Sequence, residues 1–347
     1  MSLHYPQTEP PAAGERIEVA PGVFWLRMPL PFQLDHVNLW LLKDGEGWTL
    51  VDTGFPNDAA RAAWREIFAG LDAPVRRLIV THFHPDHLGL AAWLLEETGA
   101  DLWMTCGEFL AAHAVWHEVG GHGSRFMVEQ FRRHGLDEAR LAEFADKGAG
   151  YREAVPALPD HYRRVRAGDV VDIGGAGWRA LIGHGHGPEH LALYCAELGV
   201  LISGDMLLPT ISTNISVFAA TPDANALRWY LDSLDDLMRE IPDDSALVLP
   251  SHGLPFYGMA ARIEALCAHH DERLRVLEDG CQDKPQSAAE VLELLFQRTL
   301  DRHQTMFAMG EAIAHLNYLE QAGRLSRSRD ADGVIRFQRP PRQAAAY

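Results

Sequence analysis

The chain of 347 residues is long enough for a sizeable core and for two domains, and its 47% hydrophobic and 23% charged content is that of an ordinary globular protein. No apolar run approaches membrane-span length and the first residues show no signal-peptide pattern, so a membrane role is excluded and a cytoplasmic location is expected. The net charge of -17 argues against a polyanion as the main substrate.

Residues 15–53 read as successive strands. Val23-Phe24-Trp25-Leu26 and the run from Val37 to Leu42 are apolar, and a turn at Asp44-Gly45-Glu46-Gly47 leads into Trp48-Thr49-Leu50-Val51, which ends at Asp52-Thr53-Gly54. Ala59 to Leu71 is predicted helical, with Trp64, Ile67, Phe68 and Leu71 on one face. The apolar run Leu78-Ile79-Val80 then meets Thr81-His82-Phe83-His84-Pro85-Asp86-His87-Leu88-Gly89, beyond which Leu88, Leu90, Ala91, Leu94 and Leu95 repeat at helical spacing through Glu97. This polar cluster therefore sits on a strand-to-helix turn, where several side chains can be aimed at one point. A regular helix would spread the same residues around its circumference. Imidazole and carboxylate are the usual donors for a zinc-like cation, whereas a His-rich surface loop is the bland alternative.

Asp101 to Thr105 is a short strand. Residues 107–165 read as a mostly helical insertion, a cap with surface histidines or a lid over a substrate pocket, holding His113, His117, His122 and His134 and the glycine-containing stretch Gly148 to Gly150. His113 and His117 lie one helical turn apart, but no further ligand cluster is near them in sequence. Strands resume at Val170 to Ile173 and Trp178 to Ile182, followed by Gly183-His184-Gly185-His186-Gly187-Pro188-Glu189-His190, by Leu191 to Cys195 and by Val200-Leu201-Ile202 before Ser203-Gly204-Asp205. Leu247-Val248-Leu249 leads to Pro250-Ser251-His252-Gly253. Each polar candidate thus lies just past an apolar strand, which gathers Asp52, His82, His84, Asp86, His87, His186, Asp205 and His252 on one rim.

From Met259 the pattern is helical over Ala260 to Glu278, Ala288 to Thr299 and Gly310 to Ala322, and Asp330-Ala331-Asp332-Gly333 marks a hairpin, so residues 259–347 form a winged-helix-like module. That module carries 12 Lys and Arg against 13 Asp and Glu, which disfavours nucleic acid, although Arg324, Arg327, Arg329, Arg336, Arg339 and Arg342 form a basic strip. The strip reads equally as a solvated face or a homodimer contact, and packing of the module against the catalytic domain is the preferred role. The four cysteines, Cys106, Cys195, Cys267 and Cys281, are far apart and read as reduced thiols.

Taken in order, the His82–His87 cluster, Gly185 to His190, Ser203-Gly204-Asp205, Pro250 to Gly253 and the early Asp52-Thr53-Gly54 resemble the metallo-β-lactamase fold superfamily over roughly residues 15–258. The resemblance implies an α/β fold, an αββα sandwich occupying residues 1–258, with the helical insertion at 107–165 and the C-terminal domain at 259–347. It implies two divalent metal ions, zinc first with iron or manganese as alternatives. His82, His84 and His186 would hold one; Asp86, His87 and His252 the other; Asp205 would bridge both. His184 stands two residues early for the family spacing, so His186 is preferred as ligand. His184, His190 and Asp52 are read as groups that orient or flank the ligands.

Such a site implies a metal-dependent hydrolase that uses a metal-bridging hydroxide, with Asp86 and Asp205 as catalytic carboxylates. The bridging Asp205 fits the thioesterase, lactonase and phosphodiesterase branches better than true β-lactamases, and His84 stands where the flavo-di-iron branch has Glu. A small acyl substrate, a thioester in the manner of glyoxalase II or a lactone, is the expected small-molecule partner. The alternative is a phosphodiesterase or ribonuclease of the β-lactamase-like-protein-2 kind. A metal-stabilised binding module without catalysis is the reading of another class, weakened because structural metal sites are usually mononuclear and Cys-rich.

Overall fold

The computed structural model describes residues 3–145, 150–242 and 244–340. Seven strands form one sheet in chain order: β1 (Ile17–Ala20), β2 (Val23–Pro29), β3 (His36–Lys43), β4 (Trp48–Val51), β5 (Val75–Ile79), β6 (Asp101–Thr105) and β7 (Arg163–Val165). The first four pair antiparallel as a meander and the last three add in parallel. A second sheet has the order β12-β11-β10-β9-β8, built from β8 (Val170–Ile173), β9 (Ala176–Gly183), β10 (His190–Cys195), β11 (Val200–Gly204) and β12 (Leu247–Pro250). Only its β11–β12 pair is parallel.

The alternation of side chains along these strands makes the sandwich. Trp25, Trp40, Val51 and Ile79 of the first sheet pack against Trp178, Leu191, Leu193, Ile202 and Leu249 of the second in one buried cluster. Inner-facing residues as large as Trp25, Trp40 and Trp178 are almost fully buried, each by about 1.5–3 kcal/mol or more of apolar transfer. Helix α1 (Asp58–Ala69) packs on β2 through Ala60, Ala63, Trp64 and Ile67. It starts one residue before the predicted Ala59, because the Asn57 side chain caps the Ala60 N–H at 2.7 Å, and it ends at Gly70. The predicted helix after the His-rich turn is two pieces, α2 (Pro85–Leu88) and α3 (Ala91–Thr98). The break has a cause: the Leu90 N–H leaves the helical ladder and donates to Thr53 Oγ1 at 3.1 Å.

The predicted insertion contains α4 (Cys106–Trp116), α5 (Ser124–Arg133), α6 (Glu138–Ala145) and α7 (Gly150–Ala154), but its last residues are strand β7 of the first sheet. Gly148 and Ala149 of the glycine-containing stretch lie outside the described residues. The chain forms two compact units with other limits than expected. The first is residues 1–116, 149–213 and 232–264, and it holds the sandwich; the second is residues 117–148, 214–231 and 265–347.

Within the second unit, α9 (Met259–Gly280) contributes most of its length, α8 (Ala226–Glu240) its first turns, and α10 (Leu292–Leu295), α11 (Arg302–Gln321) and the hairpin of β13 (Ser326–Arg329) and β14 (Ile335–Gln338) complete it. Gln130 Nε2 donates to Val217 O at 3.1 Å, Asn317 Nδ2 to Pro222 O and Ala224 O, and His134 stacks on Phe337. The second predicted helix shrinks to the single turn α10: Val291 and Leu292 are buried, while Leu294 stays exposed, so lengthening the helix would bury little more. The third begins eight residues earlier than predicted, at Arg302, where Asp301 and Gln304 form a capping box. The region is therefore helical with a hairpin, without the three full helices that the winged-helix expectation required. No helix of the described residues is long and apolar enough to cross a membrane.

Candidate metal centre

Five strand ends of the sandwich deliver the polar residues. The loop after β5 carries His82 and His84 and runs into α2 with Asp86 and His87, the loop before β10 carries His186, and those after β11 and β12 carry Asp205 and His252. The loop after β4 carries Asp52.

The side chains form two clusters: His82, His84, His186 and Asp205, and Asp86, His87 and His252, with the donor atoms of each cluster within 4.8 Å of one another. In the first, His82 Nε2 lies 3.0 Å from His84 Nδ1 and 3.2 Å from His186 Nε2. In the second, Asp86 Oδ2 lies 3.5 Å from His87 Nε2 and 3.4 Å from His252 Nε2. Asp205 faces both. Its Oδ2 is 3.4 Å from His186 Nε2 and 3.9 Å from His82 Nε2, and its Oδ1 is 3.5 Å from His87 Nε2 and 3.6 Å from His252 Nε2.

The opposite ring nitrogens of His82, His87, His186 and His252 are already committed. The Thr81 hydroxyl donates to Asp52, at 2.9 Å from Oδ2, so its oxygen is left to accept from His82 Nδ1 at 3.0 Å. Asp52 also accepts from His87 Nδ1 at 2.8 Å and from the Thr81 N–H at 2.8 Å. It holds a left-handed backbone, φ 65°, which a buried non-glycine residue keeps only when its bonds over-determine it. His186 Nδ1 lies 2.9 Å from Thr213 Oγ1, and His252 Nδ1 donates to His36 O at 2.9 Å. With those nitrogens protonated, the nitrogens in the clusters present lone pairs.

Among the described residues, His87 Nε2 and Asp205 Oδ1 are buried without a hydrogen-bond partner. Imidazole nitrogens and carboxylates converging in so small a space fit divalent cations and fit poorly with a purely structural hydrogen-bond network. The electrostatics separate the two clusters, one holding neutral imidazoles and the other drawing positive charge to its carboxylates. Burial, reinforced by the neighbouring imidazoles, holds His82 well below its ordinary pKa, and burial next to His186 brings His84 down to about 3. Burial also opposes charge on His87 and His252, but the adjacent carboxylates outweigh it and raise both, His252 to about 10. Asp86 and Asp205 are lowered by those imidazoles against the same burial.

His190 stands beside the clusters, with Nε2 accepting the Asp205 N–H at 3.1 Å. A Cβ on Gly204, φ 54°, would lie 2.4 Å from His190 Cε1, so only glycine permits this approach. His184 is exposed and turns its Nδ1 to Pro188 O at 2.6 Å, away from both clusters, whereas His186 lies in the first. In the insertion, His134 is buried rather than a surface histidine, and His113 Nε2 binds Pro159 O; among the described residues neither His113 nor His117 belongs to a metal-type cluster.

Several supporting residues escaped the sequence reading. Asn38, fully buried, donates to Pro250 O and Gly253 O and ties the His252 loop to β3. Glu108 of α4 is equally buried, which raises its carboxyl to about 7 although backbone N–H groups of Glu189 and Phe83 bind it. It lies just past an apolar strand, the same positional rule that marked the other candidates.

Residues 33–252 match the metallo-beta-lactamase superfamily, and residues 274–340 match the metallo-beta-lactamase-like C-terminal domain family. A beta-lactamase domain protein from Burkholderia ambifaria is 49% identical, with a TM-score of 0.90 over 97% of this chain and 98% of that one. A metallo-beta-lactamase family protein from Thermus thermophilus is 32% identical, with a TM-score of 0.77 over 93% of this chain and all of that one (100%). A Bacillus subtilis (strain 168) protein named as a probable metallo-hydrolase, YqjP, is 26% identical over 306 residues, 86% of this chain and 92% of its own length. The chain belongs to the metallo-beta-lactamase superfamily and is a metal-dependent hydrolase.

Proposed function

We propose that the protein is a dinuclear hydrolase of small acyl compounds, thioesters or lactones, and that His82, His84, His186, Asp86, His87, His252 and the shared Asp205 hold two divalent cations, zinc by preference. The observation that carries this reading is the division of one carboxylate between two clusters, Asp205 Oδ2 toward His82 and His186 and Oδ1 toward His87 and His252. When bound, cations so held lower the pKa of a water and polarise the oxygen of the bond under attack. The chain's own residues do the rest. Asp205 fixes the spacing of the two halves. Asp52 and Thr81 lock the orientation of His87 and His82, so that no reorganisation is needed as charge develops. Asp86, the most open of the three acidic groups at 22% side-chain exposure, is placed to accept a proton or orient the attacking group.

A small substrate is favoured over a polynucleotide by charge. The chain carries -17 overall, and most of the basic strip is already paired: Arg324 and Arg339 with Glu278, Arg327 with Asp223, Arg336 with Glu290 and Asp330. Arg342 lies outside the described residues. All four cysteines are free, which fits a reducing, cytoplasmic setting.

The test is elemental analysis of the purified protein together with a panel of thioesters, lactones and phosphodiesters assayed with Zn, Mn and Fe. Two metal equivalents and turnover of an acyl member are expected. Turnover of RNA or phosphodiesters alone would replace the acyl reading with a nuclease. No turnover, with metal removal merely unfolding the chain, would leave a binding module.

A further inference from the structure

Two of the loops that supply donors, residues 82–87 and 186–190, are joined through a third element that supplies none. Glu108 lies in the first turn of α4 and is fully buried. Its Oε2 accepts the Phe83 N–H at 3.0 Å and its Oε1 accepts the Glu189 N–H at 2.8 Å. Phe83 stands between His82 and His84; Glu189 follows His186 by three positions. The junction of β6 and α4 returns the grip, since Gly107 N–H donates to Glu189 Oε2 at 2.7 Å and Thr105 Oγ1 to Glu189 O at 2.8 Å. Tyr151 Oη donates to Phe83 O at 2.6 Å, so both polar atoms of Phe83's main chain are held from outside its loop.

Close approach is built in. A Cβ on Gly187 would lie 2.5 Å from Glu108 Oε1, and one on Gly107 would lie 2.8 Å from Glu189 Cγ. The geometry also demands a carboxylate. Two N–H groups converge on two oxygens, whereas an amide would turn one NH₂ donor against an N–H. With both oxygens occupied and no solvent exposure, Glu108 is not placed to exchange protons with a substrate.

We infer that Glu108 is a positioning residue: its carboxylate sets the spacing between the loop of His82 and His84 and the loop of His186, and thereby the affinity of this three-histidine half for a divalent cation. The inference rests on the metal reading proposed above. It separates from a general packing role because the Asp86, His87 and His252 cluster shares only one of the two clamped loops and has no donor in the other.

Stepwise titration with Co(II), read by visible absorption against a competing chelator, tests it on the full-length wild type and on Glu108→Gln, alongside thermal melts of the metal-free proteins. One of the two binding steps should weaken by about 10–100-fold, the range for loss of a group that orients metal ligands, while the other step holds. Glu108→Asp keeps both oxygens but withdraws them by one methylene; it should weaken the same step, and it carries the test if the Gln variant does not fold. Unchanged affinities in a folded variant, equal loss at both steps, or failure of both variants to fold would overturn the inference. A wild type that takes up no Co(II) would instead overturn the metal reading itself, a result distinct from a wild type that binds and a variant that matches it.

Discussion

Asp205 is the residue on which the two halves of the site depend, because each of its oxygens faces a different cluster. Asp205→Ala should reduce turnover by roughly 100-fold or more, at or beyond the upper end of what loss of an outer ligand-orienting group costs, and lower the metal content by elemental analysis. The metal-free melting temperature should fall as well, since Asp205 is a buried partner of His87, His186 and His252 and its removal leaves two raised imidazoles short of a carboxylate. Full activity in that variant would remove the bridging assignment. Its neighbour acts through the backbone instead. Gly204→Ala puts a methyl 2.4 Å from the His190 ring at φ 54°, so it should cost about 2 kcal/mol or more of stability, read as a lower urea midpoint, because both strain and overlap act. That these side chains gather at one place was readable from sequence, since imidazoles and carboxylates directly after apolar strands are chemically conspicuous. His184 and His186 were harder to tell apart, as each stands between glycines; only the fold shows one ring turned to Pro188 O and the other to His82. Thr81, Thr213 and Asn38 were invisible because small polar residues, in loops or within a strand, carry no mark of what they bond.

At the scale of elements, strands were legible and boundaries of helices were not. The apolar runs from Val23 to Leu249 became strands nearly as drawn, since burial on a sandwich imposes a pattern that needs no partner knowledge. The helix after His87 broke because of a tertiary bond to Thr53, and α10 stayed short where Leu294 is left largely exposed. His134, at the C-terminal cap of α5, yields a test on this level. Burial, aided by Arg327 and Arg329 and opposed by Asp223, lowers its pKa to about 4 from 6.5. The folded form therefore refuses a proton that the unfolded chain accepts. Its contribution is intact above pH 6.5 and is lost as pH falls toward 4, at about 1.4 kcal/mol per pH unit. Urea melts across that window should show a smaller acid loss for His134→Gln than for the wild type; equal slopes would show that His134 does not carry the effect.

On the whole-molecule scale, the arginines paired with Glu278, Asp223, Glu290 and Asp330 have a consequence for traffic to the site. The net charge of -17 already counts these arginines, and with their partners beside them they form no local basic patch, so the outer field stays negative at long range. An anionic ester diffusing inward meets a headwind, which dissolved salt damps over a screening length of about 10 Å at 0.1 M. Its kcat/KM should climb as sodium chloride is added, whereas an uncharged lactone of similar size should be captured at a rate that salt leaves alone.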